Sequence, residues 1–348
     1  MIKKYTIKDI AEMAGVSKGT VDRVLHKRGK VSDTALKKVT EILKDIDYKP
    51  NPIAKNLKTN KIYRLCILFP VSHKDSYWAP CLDAVKEFED HYQALGIKTE
   101  EYRYDPSSPK SFTEKALELI ETGPDAILMA PLFFNEAQEI SKMCHEQNII
   151  ISTFNNIIKK EGFSNYIGQD LFKSGRTAAK LLDTLLGKGH IAIVHIDEMV
   201  HNATHMQQKE RGFKSYFSDR STTNYKISTI SIDKYLKFDG NESLETYFNK
   251  HPDIKGVFVT TSKTYAIAEF KKAHNKHLKI VGYDLVDKNI GFLKAGHIDF
   301  LINQNPKKQA FTGLSTLAEH LLFDKEISKR ILLPIDIINS ENYEQYLE

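Results

Sequence analysis

Lys18, Gly19, Thr20, Asp22, Arg23 and His26 fall on one face of a short helical pattern, and they combine two kinds of nucleic-acid chemistry. Lys and Arg neutralise phosphates, while small or hydrogen-bonding groups reach base edges in a major groove. On the other face Val21, Val24 and Leu25 point toward a core, so this helix needs partners. Thr6 and Asp9 have the spacing of a capping box, and Ile7, Ile10, Ala11 and Ala14 continue from it as one apolar stripe. Gly15 supplies a positive φ at the helix end, Val16 plugs the corner, and Ser17 caps the second helix. Ser32 opens a third, in which Leu36, Val39, Ile42, Leu43 and Ile46 are expected to close a small core. The sum is a helix-turn-helix, a motif that places its second helix in duplex DNA.

An ordinary amphipathic hairpin would share much of that pattern, and charge distinguishes the two. Residues 1–61 carry 15 Lys and Arg against 7 Asp and Glu, leaving 35 against 38 for the rest of the chain. A basic head on a slightly acidic body is the electrostatic footprint of a nucleic-acid-binding module. Pro50 and Pro52 stop the third helix, and residues 53–61 are too few for a stable helix in isolation. Ile53, Ala54 and Leu57 nevertheless share one face. This linker is either a basic tether or a segment that folds when two copies meet on DNA. In the second case Leu57 wedges into the minor groove while Lys55 and Lys58 meet phosphates.

From residue 62 strand and helix alternate. Apolar runs at 63–69, 126–130, 149–154, 191–196, 256–260, 278–282 and 299–302 are separated by amphipathic stretches at 79–95, 109–122, 134–147, 171–186 and 306–323. Near-continuous apolar strands between helices predict parallel sheets covered on both faces. Roughly ten such strands exceed one compact core, so two lobes are expected. In sheets of this kind ligands bind beyond the strands' carboxyl ends. The ends at Asn155-Asn156 and Gln169-Asp170 therefore offer amides and a carboxylate to a cleft, unless they only turn the chain. Tyr77 and Trp78, after the first strand, are suited to stacking on the C–H face of a sugar ring or to packing on the sheet.

The head and linker resemble the LacI/GalR family of bacterial transcription regulators. Thr6, Asp9, Ile10, Ala11, Ala14 to Ser17, Thr20, Val21 and Arg23 to Leu25 match its head signature. Tyr48, Pro50, Asn51, Ala54, Lys55 and Leu57 match its hinge, with Asp47 replacing the usual Gly and Asp22 the usual Ser. The body resembles the periplasmic-binding-protein type I fold, so the likeness spans essentially the whole chain. The resemblance implies a DNA-binding set of Thr6, Ser17, Lys18, Gly19, Thr20, Arg23, His26, Asn51, Ala54, Lys55 and Leu57. It also implies an effector set. Val281-Gly282-Tyr283-Asp284 and Gln304-Asn305-Pro306 resemble the family's G-[FY]-D and Q-x-P elements, making Asp284 and Gln304 ligand-facing. Lys209 stands at the first position of its R-x-x-G-[FW] element, keeping the charge without the planar fork. Thr261 and Ser262 replace the frequent Asn-Asp, and Tyr77, Trp78, Asn155, Gln169 and Asp170 complete the set.

The expected class is thus α/β: a two-lobed, periplasmic-binding-protein-like body behind a small all-α head. The expected boundaries are a head over 1–50, a hinge over 51–61 and a body over 62–348. Within the body the N-lobe takes about 62–168 plus 304–326, and the C-lobe about 169–300 plus 330–348. The phosphate-cradling loop, the dinucleotide turn and the G-x-S-x-G elbow are absent from the sequence, so no enzymatic activity and no cofactor are expected. His201 and His205 have helical ligand spacing but no neighbouring third ligand, so no metal is expected. Cys66, Cys81 and Cys144 fit neither a disulfide framework nor a zinc motif. With no secretory segment and no long apolar run, a cytoplasmic address without a membrane partner is expected.

The expected partners are a pseudo-palindromic double-stranded operator, a second copy of the chain, and a small-molecule effector, a sugar or sugar derivative. A solute-binding receptor and an architectural DNA-binding protein with a dimerisation-only body are the alternative readings. An acidic or phosphorylated sugar is left open by Lys209 and the two histidines.

Overall fold

A computed structural model of the chain describes residues 5–25, 28–46, 48, 61–158, 165–196, 202–220, 224–232 and 244–347. The chain forms two units, Met1–Thr59 and Asn60–Glu348. In the first, α1 (Ile7–Ala14), α2 (Lys18–Leu25) and α3 (Asp33–Asp45) surround a core of Ile10, Ala11, Ala14, Val21 and Val39. Thr6 and Asp9 form the full capping box, the hydroxyl accepting from Asp9 N and the carboxylate from Thr6 N at 2.7 Å. Gly15 takes φ +66°, and the Val16 amide returns to the Ala11 carbonyl, so the corner is made by a residue without a Cβ penalty. Ser17 Oγ accepts from Thr20 N at 3.1 Å. Leu36, expected inside, is 45% exposed because it lies on the outer face of α3.

In the second unit the first lobe runs β1 (Tyr63–Pro70), α4 (Pro80–Tyr92), β2 (Ile97–Tyr104), α5 (Pro109–Glu121), β3 (Ala126–Met129), α6 (Phe134–Glu146), β4 (Ile150–Phe154) and β5 (Asn165–Gly168). The chain then crosses to α7 (Leu171–Leu186), β6 (Gly189–Ile196), α8 (Thr204–Ser218), β7 (Tyr225–Ile232) and α9 (Leu244–Lys250). The second lobe continues with β8 (Ile254–Val259), α10 (Tyr265–Ala273), β9 (Lys279–Tyr283), α11 (Asp287–Lys294) and β10 (Phe300–Asn303). It returns through α12 (Pro306–Phe323), whose Ala310, Leu314 and Leu317 complete the first lobe's core. The last strands are β11 (Arg330–Leu332) and β12 (Asp336–Ile338).

The sheets have strand orders 11-5-4-3-1-2 and 12-10-9-8-6-7. Every described pairing is parallel except that of β10 with β12. Removing the edge strand from each order leaves the same permutation, so the lobes are two copies of one topology. One boundary needs correcting. β11 pairs with β5 and belongs to the N-lobe sheet, so the last crossing falls between Leu332 and Asp336 and not near residue 330.

Three chain segments therefore pass between the lobes, and Gln169 joins them. It lies on the first crossing, and its Nε2 donates to the Asn303 carbonyl at 2.8 Å and the Pro334 carbonyl at 2.7 Å. Within the C-lobe, α7 and α8 cross without side chains between them. A Cβ on Gly175 would sit 1.9 Å from the Lys209 carbonyl oxygen, and one on Gly212 would sit 1.9 Å from that of Phe172. Backbone cannot yield as a flexible side chain can. Gly212→Ala is expected to force the helices apart and to destabilise the body by about 1–3 kcal/mol. A lower urea midpoint at unchanged slope would register this, and an unchanged midpoint would refute the close-packed crossing.

Candidate functional site

Two surfaces carry the predicted residues. On the head, Lys18, Gly19 and Arg23 are exposed along α2, and Thr20 is half-buried with its hydroxyl 2.9 Å from Ser17 Oγ. Beside Gly19 the nearest atoms to a built Cβ are 3.7 Å and 4.0 Å away, so a backbone could approach closely there. The hydroxyls of Thr6 and Ser17 are used in capping on residues that stay exposed, the Thr6 hydroxyl also donating to Asp9 Oδ2 at 2.8 Å. His26, Asn51, Ala54, Lys55 and Leu57 lie outside the described residues.

In the body, polar groups meet at the carboxyl ends of the strands, where backbone amides and carbonyls leave the ladder. Asp284 follows β9 with φ +67°, a left-handed position that Asp tolerates better than most residues. Its Oδ1 accepts from Gln304 N at 3.0 Å and its Oδ2 from Gln304 Nε2 at 2.8 Å, Gln304 being the residue after β10. Gln309 Nε2 in turn donates to the Gln304 carbonyl at 2.7 Å. Asn289 Nδ2 reaches the carbonyls of Ser262, Tyr283 and Asp284, tying two strand ends to α11. Lys209 lies one turn ahead of Gly212, 2% exposed; its Nζ donates to the Thr260 carbonyl at 2.9 Å and stands 3.6 Å from the Tyr283 ring centroid.

Across the cleft, Asn155 follows β4 with φ +66° and its Nδ2 donates to Tyr77 Oη at 2.6 Å. Asp75, which the sequence reading passed over, caps the turn 76–78 through Tyr77 N and accepts from Ser262 Oγ of the other lobe at 3.4 Å. Its signal was available in sequence, since an acid directly before Ser-Tyr-Trp stands at the end of the first strand's loop. Burial pushes the Tyr77 hydroxyl up, and the carboxylates of Asp284 and Asp75 add to it, so the phenol stays neutral. Burial also pushes the Asp284 carboxyl up to about 6, against the pull of Lys209 and the two Gln304 hydrogen bonds.

Other predicted residues are committed elsewhere. Asp170 caps α7, its carboxylate accepting from Lys173 N at 3.1 Å. Gln169 uses both amide protons on the crossings. Trp78 is 2% exposed, edge-on to Tyr77 at 4.8 Å and to Phe154 at 6.0 Å, within the N-lobe core. Thr261 Oγ1 accepts from Lys263 N. A groove of about 700 Å³ reaches Tyr77 and Asp284 and is walled further out by Asp83, Lys307 and Phe311. It has the size of small-molecule sites, but the network of polar contacts sits at the strand ends and not along its outer walls. Among the described residues no helix is long and apolar enough to cross a membrane, and no group of three or more His, Cys, Asp or Glu could hold a metal.

A helix-turn-helix head and a body of two matched α/β lobes with polar groups at the facing strand ends define a class of DNA-binding protein with a binding-protein body. Comparison with known proteins agrees. Residues 66–325 match the periplasmic binding protein domain, and residues 6–51 match the bacterial regulatory proteins of the lacI family. The chain belongs to this family of DNA-binding transcription regulators. A sucrose operon repressor from Streptococcus mutans is 27% identical over 82% of this chain and 83% of its own. A xylose/arabinose-binding protein from Sulfolobus acidocaldarius is 28% identical over 53% of this chain, which spans about half (46%) of that relative's length. The solved structure assigned as a LacI transcriptional regulator from Bacteroides fragilis superposes with TM-score 0.77 at 28% identity, covering 82% of this chain and 100% of that one.

The Asp284 carboxyl makes stability depend on pH. Its folded value of about 6 lies above the ordinary 3.8, so the folded state binds more protons between the two. This group therefore favours the fold at low pH, and that contribution is lost as pH rises from about 4 through about 6. The stability difference between wild type and Asp284→Asn is expected to change across that window and to be flat above about pH 7. Urea unfolding at a series of pH values checks this; a difference independent of pH would place the carboxyl in an ordinary aqueous environment.

Proposed function

We propose that the chain is a repressor whose operator affinity is modulated by a neutral sugar held between the lobes. The observation that carries this reading is the Asp284–Gln304 pair opposite Tyr77 and Asn155. A carboxylate with fixed amide partners accepts hydrogen bonds from vicinal hydroxyls, and amides across the cleft can donate and accept in return. The balance of charge narrows the class. The described side chains bring Asp75 and Asp284 together with one ammonium, and that ammonium already serves the Thr260 carbonyl and the Tyr283 ring. Among the described residues at the strand ends, an acidic or phosphorylated sugar would meet two carboxylates and a single ammonium that already has partners, the groove's Lys307 and Lys308 standing on its outer wall.

The protein would act in the cytoplasm as a homodimer, two heads occupying the half-sites of a pseudo-palindrome. Within each head Lys18, Gly19, Thr20 and Arg23 would meet the DNA, with Thr6, Ser17 and His26 at its edge. Asn51, Ala54, Lys55 and Leu57 would complete the contact from the hinge. Tyr77, Asn155, Lys209, Asp284 and Gln304 would form the effector site, with Thr261 beside them, Trp78 backing Tyr77 from the N-lobe core, and Gln169 and Asp170 holding its frame. An effector changes operator affinity only through its different affinity for two states of the body, a coupling of about 1–3 kcal/mol in typical cases.

Calorimetry of the purified chain against D-ribose, D-xylose, L-arabinose, D-glucose and sucrose, with their phosphates, sugar acids and purines alongside, tests the proposal. A neutral sugar is expected to bind saturably, to lose at least about tenfold in affinity in Asp284→Asn, and to shift operator affinity about 5- to 150-fold. Because hydroxyls donate to the ionised carboxyl, affinity should also fall about tenfold from neutral pH to about pH 5. Binding of phosphorylated sugars or purines alone would overturn the neutral-sugar reading. Operator binding that no small molecule alters would favour a body that only dimerises.

A further inference from the structure

α6 begins without a cap of its own. Phe133 stands at its N-cap and contributes no side-chain hydrogen bond, so the first amides of the helix must find acceptors elsewhere. They find them in the other lobe. The Phe134 amide donates to the Asn202 carbonyl at 3.1 Å, and the Asn135 amide donates to Asn202 Oδ1 at 3.0 Å. Asn202 Nδ2 donates back to Glu136 Oε2 at 2.7 Å. This is the logic of a capping box, an oxygen taking helix amides while an acid of the first turn receives a proton in return, but the cap arrives from across the cleft.

We propose that Asn202 is the closure latch of the body, a positioning residue that holds the lobes together through the N-terminus of α6. Its place in the chain suits the role. Asn202 lies two residues before the start of α8, the helix that carries Lys209 and is locked to α7 at Gly175 and Gly212. Movement at Asn202 is therefore movement of the helix that bears Lys209. Another bridge across the cleft, Ser262 to Asp75, is a single bond at 3.4 Å, whereas Asn202 makes three bonds to successive residues. Separation of the lobes strips α6 of two amide acceptors at once, so opening carries a helix-capping cost that is recovered on closure. The latch acts on how the lobes meet and holds whatever the effector is.

The test uses the full chain with no ligand added, which keeps it independent of the sugar reading. Amide hydrogen exchange at Phe134 and Asn135 and the radius of gyration from solution scattering are compared across four proteins. Asn202→Ala keeps the backbone acceptor but loses both side-chain bonds, and Asn202→Asp sets two carboxylates against each other. Both are expected to accelerate exchange at Asn135 about five- to tenfold and to enlarge the radius of gyration. Asn202→Asp with Glu136→Gln restores the box with the donor and acceptor exchanged, and it is expected to return both readouts toward wild type. A radius of gyration unchanged in Asn202→Ala would reduce the contact to a local cap and overturn the latch. Equal exchange at Asn135 in wild type and Asn202→Ala would overturn the contact itself, and failure of the double variant to rescue would remove the capping-box mechanism.

Discussion

Everything in the body depends on one side-chain amide. Three crossings join the lobes, and each must leave its sheet with backbone carbonyls that no strand partner serves. Gln169 has two amide protons, and both are spent on this problem, one on the carbonyl of Asn303 and one on that of Pro334. Its own backbone carbonyl accepts from Tyr166 Oη at 2.8 Å. Buried polar groups are costly when unpaired, by about 1–3 kcal/mol each, so these bonds fix the spacing of the crossings. The next residue after Asn303 is Gln304, which holds Asp284. The position of the carboxylate in the cleft is thereby a consequence of how the crossings are tied.

The repeated topology explains why the same residue types recur at equivalent places. β4 and β9 occupy matching positions in their sheets, and each is followed by an Asx residue at positive φ, Asn155 and Asp284. β5 and β10 also correspond, and each is followed by Gln, then by a residue that caps the next helix: Gln169 and Asp170 before α7, Gln304 and Asn305 before α12. Even the backbone bonds agree, Asn155 N reaching the Ile167 carbonyl and Asp284 N that of Ile302. The copies differ in what the glutamine holds. In the first lobe it serves the crossings, and in the second it serves a carboxylate. One framework has thus been divided between joining the lobes and presenting a binding group.

Much of this was legible in the sequence where local chemistry decides the outcome. The capping box at Thr6, the turn at Gly15 and the apolar runs of the central strands depend on near neighbours, and they fold as their spacing predicts. The edge strands β2 and β7 do not stand out in the sequence, because a strand with one open side need not be apolar; in Lys98 to Arg103 the residues Lys98, Glu100, Glu101 and Arg103 are charged and none of the six is fully buried. Asp170 was read as facing the cleft because a strand-end carboxylate can serve a ligand or a helix, and only the structure shows that α7 uses it. Asn202 carried no signal at all, since its partners Glu136, Asn135 and Phe134 stand 66 to 68 residues away. Contacts across the cleft belong to the assembled lobes and are invisible to any local pattern.

The burial of Asp284 gives the site its conditional character. A carboxyl raised to about 6 by desolvation is ionised near neutral pH at a cost, because the surroundings supply fewer hydrogen bonds than water would. Gln304 and Lys209 offset part of this cost without removing it, as the upward direction of the shift requires. A partner that donates hydroxyl protons to the ionised group lowers its free energy most when the opposite wall is close enough to share the same partner. Affinity and closure are then two expressions of one electrostatic deficit. A carboxyl fully satisfied within its own lobe would bind the same hydroxyls with less discrimination between open and closed bodies, and without that difference no effector could bias the state of the protein.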